Sequence, residues 1–198
     1  MRGLLKFSNA VDWLNSQVGK WVIWLILAST VISGVNAIVR KVFNVSSNAY
    51  LEVQWYLFAA AFLLAAGYTL LQGEHVKIDV IYTRFSKRNQ MWIDVFGFIF
   101  FLMPMCAAIL YYGTPFFLQG FRSGEMSSNA GGLIRWPVYL MIPIGFTLLM
   151  LQGLSELIKR LAFLQGLIPD PTLKAVAKTA EEELAEEIRR QAELQGKA

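Results

Sequence analysis

His75 is the single histidine of the chain. It stands in LLQGEHVKIDV, residues 70–80, with Glu74 before it and Asp79 after it. If this stretch is helical, His75 and Asp79 share a face one turn apart. Two such side chains begin a metal site, but no further histidine and only one cysteine, Cys106, is present to complete it. The same shortage bears on redox chemistry, because haem in a helical bundle needs axial ligands inside the bundle. There is no glycine-rich phosphate loop, and no serine or cysteine nucleophile stands near a base. No catalytic, cofactor-binding or metal-ligating residue is therefore assigned, and the chain does not read as an enzyme. A lone cysteine also rules out an internal disulfide. What remains for His75 is a place where an apolar helix ends and a polar connector begins. Two readings of that connector stand: a short interfacial helix with a satisfied polar edge, built on Ile78, Ile81, Tyr82 and Phe85, or a specific contact with a partner subunit.

The elements that position this stretch follow from composition. Of the 198 residues, 56% are hydrophobic and 16% charged, and the mean hydropathy is +0.46. Soluble domains carry about a quarter charged residues. The net charge of +4 does not point to nucleic acid, because the basic residues sit at the ends of apolar runs and form no basic domain. Charge-free runs extend over 21–39, 53–73, 95–121 and 136–155. A helix needs roughly 20 apolar residues to cross a bilayer core, and backbone groups in lipid must pair within their own segment. The fold class is thus an all-α integral membrane protein with transmembrane helices at about 21–39, 53–73, 92–121 and 136–156. The third run carries Pro104, Gly113 and Pro115 and is expected to be kinked, tilted or extended past the bilayer. The charge-free runs put no Asp, Glu, Lys, Arg or His in the bilayer core, which argues against a charged solute or coupling proton passing through this chain's own core.

With four spans, both termini and the 74–91 connector share one side. Arg2, Lys6, Lys20, Lys77, Arg84, Lys87, Arg88, Lys159 and Arg160 lie there, against Arg40, Lys41, Arg122 and Arg135 opposite. This asymmetry predicts that both termini are cytoplasmic.

The segment 1–20 lacks the apolar core of a cleavable signal. Leu4, Phe7, Val11, Leu14 and Val18 form a helical stripe, with Ser8, Asn9, Asp12, Asn15 and Ser16 mostly elsewhere. It reads as an interfacial amphipathic helix, or as a cytosolic turn continuing the first span. Residues 161–198 form a cytoplasmic linker interrupted by Pro169 and Pro171, followed by a charged helix, solvated or docked on another chain. Small residues on the spans, such as Gly34, Gly67, Gly145 and Gly153, suit close helix packing.

Two stretches carry a family resemblance. YLEVQWYLFAAAFLLAAGYTLLQGEHVKIDV presents Glu52, Gly73, His75 and Asp79, and GEMSSNAGGLIRWPVYLMIPIGF presents Trp136, Pro137, Tyr139, Pro143 and Gly145. Over about residues 15 to 160 the chain resembles the small membrane subunit, of DctQ type, of tripartite ATP-independent periplasmic (TRAP) transporters. The resemblance implies a sodium-coupled, binding-protein-dependent secondary transporter for organic acids or related solutes. Its partners would be a large M-type membrane subunit, a periplasmic substrate-binding protein and membrane lipids, and the small subunit would serve as a scaffold. Glu52, Gly73, His75, Asp79, Arg135, Trp136 and Pro137 become contacts with the large subunit or its lipids, and Arg122 and Glu125 become docking residues for the binding protein. The alternative is a membrane anchor or assembly subunit of another inner-membrane complex.

Overall fold

The computed structural model describes residues 1–44, 47–73, 82 and 84–171. The connector residues His75 and Asp79, and the charged tail beyond residue 171, lie outside the described residues. Among the described residues five α-helices follow in order: α1 Arg2–Phe43, α2 Asn48–Gln72, α3 Lys87–Gly97, α4 Met103–Ser123 and α5 Trp136–Leu164. A π-helical turn, Phe98–Leu102, joins α3 to α4, so these two make one rod, Lys87–Ser123. Among the described residues four helical rods are long and apolar enough to cross a membrane, and the protein is an all-α membrane protein.

Local signals explain the boundaries. Gly73 ends α2 in the left-handed conformation, and its N–H returns to the Leu70 and Thr69 carbonyls. Gly124 ends α4 in the same conformation, at φ 61°. The Ser86 hydroxyl caps α3 by accepting from the Asn89 amide, and Pro137 occupies the first turn of α5, where no N–H is needed. The π turn has a cause in Pro104. Proline there has no N–H for the Phe100 carbonyl, and its ring crowds that carbonyl. One widened turn, with the Met103 N–H reaching back to the Phe98 carbonyl, relieves the crowding and lets the helix continue.

The N-terminal segment is not separated from the first span. α1 is one helix of 42 residues, and at the usual rise that is about twice the thickness of a hydrocarbon core. Nothing near Lys20 interrupts it, because Gly19 lies directly against the Tyr68 ring. Its buried face is Ser8, Val11, Asn15, Gly19 and Val22. That face shares Val11 with the apolar stripe read in the sequence but is rotated from it, so that Leu4, Phe7 and Leu14 of the stripe are exposed. Polar side chains are buried here because α5 supplies their partners.

α5 is the common wall. It packs against α1, α2, α4 and the α3 end of the long rod, while α1 and α2 also pack on each other. The α3–α4 rod rests mainly on α5, so the arrangement is an open one rather than a closed four-helix bundle. A third of the apolar stretch of α5 is buried (33%), against 11% for each other rod. Close approach is achieved by omitting side chains: a Cβ at Gly145 would stand 2.6 Å from the Leu63 carbonyl oxygen, which lets α2 and α5 meet backbone to backbone. Gly34 has open space around it. Gly145→Ala is therefore expected to destabilise the fold by about 1–3 kcal/mol through overpacking, while Gly34→Ala is neutral or slightly stabilising; thermal unfolding in detergent micelles distinguishes them.

Candidate functional site

Two polar clusters stand at opposite ends of the helices. The first is built around Glu52, on the first turns of α2. Asn48, Glu52 and Tyr56 fall at steps of four and so share one face, and all three grip the loop between α4 and α5. Asn48 Nδ2 donates to the Ala130 carbonyl at 3.0 Å, and the Tyr56 hydroxyl donates to the Ile134 carbonyl at 3.1 Å. Between them Glu52 is 2% exposed. Its carboxylate accepts from the Ser127 hydroxyl, from Asn129 Nδ2 at 2.8 Å and from the Leu133 amide at 2.6 Å. The loop adds its own ties, Ser127 N–H to the Leu133 carbonyl at 2.9 Å and Arg135 N–H to the Glu125 carbonyl at 2.9 Å. Glu52 thus faces inward and spends its acceptors within the chain, and what reaches outward is the loop it holds.

Beside it, Arg135 Nη1 pairs with Glu125 Oε1 at 3.2 Å, and the Tyr139 hydroxyl donates to the same oxygen at 3.1 Å. The Tyr139 ring stacks on Phe116 at 4.4 Å, and Trp136 meets Phe121 edge to face at 5.3 Å. Arg135 and Glu125 keep side-chain exposures of 33% and 43%, so the pair stays reachable from water and contributes little to stability. Arg122 is not part of this patch. It lies on the far side of α4 from Gly120, the residue that Tyr139 covers, and lines a groove with Pro115, Leu118, Gln119 and Ser123. The structure brings Glu52 and Glu125 to one loop with Arg135, Trp136 and Pro137 following it. It separates Arg122 from Glu125 and leaves Gly73 as a helix cap at the other end of α2.

The second cluster was not legible in the sequence. At the other end, α1 and the last third of α5 share a polar seam. The Ser8 and Ser155 hydroxyls are 2.7 Å apart. Gln152 accepts from Asn15 Nδ2 at 2.9 Å and donates to Asp12 Oδ1 at 2.8 Å. Ser155 donates to that same Asp12 oxygen at 2.7 Å, and Lys159 reaches Asp12 Oδ2 at 3.0 Å. Lys159 and Arg160 both pair with Glu156. Arg160 Nε then donates to Asp94 Oδ2 of α3 at 2.8 Å, with its guanidinium 4.7 Å from the centre of the Phe98 ring. Burial, with Asp94 nearby, pushes the Tyr82 phenol above its ordinary value. The Asn15 Oδ1 atom has no hydrogen-bond partner and stands where a Cβ on Gly67 would be, only 2.2 Å from it. Three carboxylates and two cations therefore tie α1, α3 and α5 together.

A family model described as "Tripartite ATP-independent periplasmic transporters, DctQ component" matches residues 29–163. The chain belongs to this family. No curated protein and no solved structure matches it. As a TRAP small permease subunit it is a transporter component, and the matched residues take in Glu52, the whole loop, and the α3 and α5 sides of the seam. Ser8, Asp12 and Asn15 precede the match, so the α1 side of the seam is described by this structure alone.

Gln152→Leu is expected to leave Asn15 Nδ2 and one Asp12 lone pair short of a partner, at a cost of about 1–3 kcal/mol seen as a lower thermal midpoint in micelles. Glu52→Ala is expected to free the loop rather than unfold the helices. Hydrogen exchange at the Leu133 amide should rise sharply, while amides in the middle of α5 keep their protection.

Proposed function

We propose that this DctQ-family subunit acts as a static scaffold for a large M-type membrane subunit in a sodium-coupled TRAP transporter. The complete system would take up organic acids or related solutes delivered by a periplasmic binding protein. One observation carries the reading: buried polar side chains of the described residues find their partners almost entirely within the chain, while the outward faces of the rods are apolar. Trp21, Trp24, Val31 and Ile38 of α1, and Trp92, Phe96, Phe101 and Tyr112 of the long rod, are all exposed. A path for a charged solute needs polar groups facing a cavity or channel, and a brace needs apolar faces for lipid and for a neighbouring helix. The moving parts and solute ligands belong, on this reading, to the large subunit.

Both termini and the Arg160 end of the bundle face the cytoplasm in this proposal, as the basic residues favour. The loop held by Glu52 then faces the periplasm, with Glu125 and Arg135 available to a soluble binding protein. Trp136 and Pro137, at the start of α5, lie at the boundary between that loop and the membrane. His75 and Asp79 keep their proposed role as contacts with the large subunit or its lipids. Family membership favours this reading over an anchor for an unrelated complex.

The test is reconstitution. Vesicles holding this chain alone should show no solute uptake under a sodium gradient, while vesicles holding it with the large subunit and binding protein should. Uptake by the chain alone would end the scaffold reading. Alanine at both Glu125 and Arg135 is expected to weaken binding-protein docking several-fold, read by surface-immobilised binding assays, without releasing the large subunit.

A further inference from the structure

α4 presents two sides of different character. One packs on α5: Cys106 is fully buried, Gly113 faces Ile142, and Gly120 faces Tyr139. At 3.6 residues per turn, Tyr111, Leu118 and Arg122 project from the opposite side. There, in the last turns of the helix, a groove of about 520 Å³ is lined by Pro115, Leu118, Gln119, Arg122 and Ser123. That volume lies within the range of small-molecule sites.

The groove has a polar end and an apolar end. Arg122 is the first charge after the run 95–121, so its guanidinium sits where hydrocarbon gives way to headgroups. Aromatic rings mark the same level on the neighbouring face, Phe121 against Trp136, as they do at membrane boundaries. Arg122 has no ion pair among the described residues, and the Glu125 carboxylate is engaged by Arg135 and Tyr139. Gln119 offers an amide beside it. The other end is lined by Leu118 and Pro115, and Tyr111, 73% exposed, lies one to two turns further along the same side of the helix.

We propose that this groove binds one anionic glycerophospholipid. The phosphate takes the fork of Arg122 and the amide of Gln119, and an acyl chain lies along Leu118, Pro115 and Tyr111. A guanidinium with fixed donors matches phosphate oxygens in geometry as well as charge. The charge balance selects the headgroup. No carboxylate lines the groove, so a zwitterionic lipid would bring an ammonium that finds no acceptor of opposite charge and meets Arg122 instead. This site is independent of the scaffold role, and its success or failure leaves that role untouched.

The experiment is native mass spectrometry on the full-length chain in mild detergent, with added phosphatidylglycerol, phosphatidylethanolamine or glycerol 3-phosphate. One phosphatidylglycerol should be retained, with phosphatidylethanolamine about tenfold weaker. Arg122→Gln and Gln119→Glu should each weaken phosphatidylglycerol binding by about tenfold, the scale of a charge-assisted pair. Lys41→Gln, at the same end of the bundle but outside the groove, should bind as the parent does. Equal binding of the two lipids, parent-like binding by Arg122→Gln, an equal loss in Lys41→Gln, or displacement of the lipid by glycerol 3-phosphate would each overturn the site. A photo-crosslinking amino acid in place of Leu118, activated in native membranes, should form adducts with phospholipid. Adducts with the large subunit or with a second copy of the chain would overturn it as well.

Discussion

Hydrocarbon offers no hydrogen bonds, so every polar side chain drawn into the bundle has to meet a partner inside the protein. α5 is where most of these partners converge. Its last third supplies Gln152, Ser155, Glu156, Lys159 and Arg160 to residues of α1 and α3. Its N-cap Arg135 and its first-turn Tyr139 close on Glu125 at the start of the preceding loop. Between these ends the helix is apolar and meets α2 at backbone distance beside Gly145. Directional bonds at both ends fix the register of the neighbouring helices, and the non-directional middle supplies contact area. A slip of one turn in any neighbour would strand several buried polar groups at once.

The charged seam follows the same logic with higher stakes. Glu156 sits between Lys159, Arg160 and Gln152, and Arg160 is itself shared with Asp94. A buried ion pair adds little net stability, but removing one member leaves an unpaired charge out of water. The value of such a network is that it allows one arrangement of α1, α3 and α5 and penalises the rest. It also explains why α1 continues straight past the end of its apolar run. Helix propensity alone would not hold Ser8, Asp12 and Asn15 against an apolar neighbour, and here they meet polar partners instead.

The spans were legible because charge is excluded from hydrocarbon, and that exclusion leaves an unmistakable trace in a linear sequence. The prolines of the third run foretold irregularity, although not that Pro104 would be absorbed by a single π turn. The seam was hidden for a physical reason. Helical periodicity sorts polar from apolar positions, and Ser8, Asp12 and Asn15 were sorted towards water. Periodicity holds no information about partners some 140 residues away, and only the fold supplies them. Glu52 was a mixed case. The resemblance singled it out, yet its partners are a hydroxyl, an amide and a backbone N–H of a loop about 80 residues away. The one signal within reach was the spacing of Asn48, Glu52 and Tyr56, a polar ridge at steps of four on an otherwise greasy helix.

The two ends of the bundle are therefore built for different work. At the Arg160 end the buried charges of the described residues answer one another across three helices. At the Glu52 end the carboxylate is buried but the loop it carries is not, and the Glu125–Arg135 pair stays open to water. A water-soluble partner recognises charge and hydrogen-bonding groups, and the loop displays such groups in its Glu125–Arg135 pair. A membrane partner recognises apolar relief, which the α3–α4 rod displays along most of its length because α5 covers only one of its sides. Polarity spent inward along the rods and left outward at the loop divides the surface into an apolar part suited to lipid or another membrane helix and a polar part suited to water.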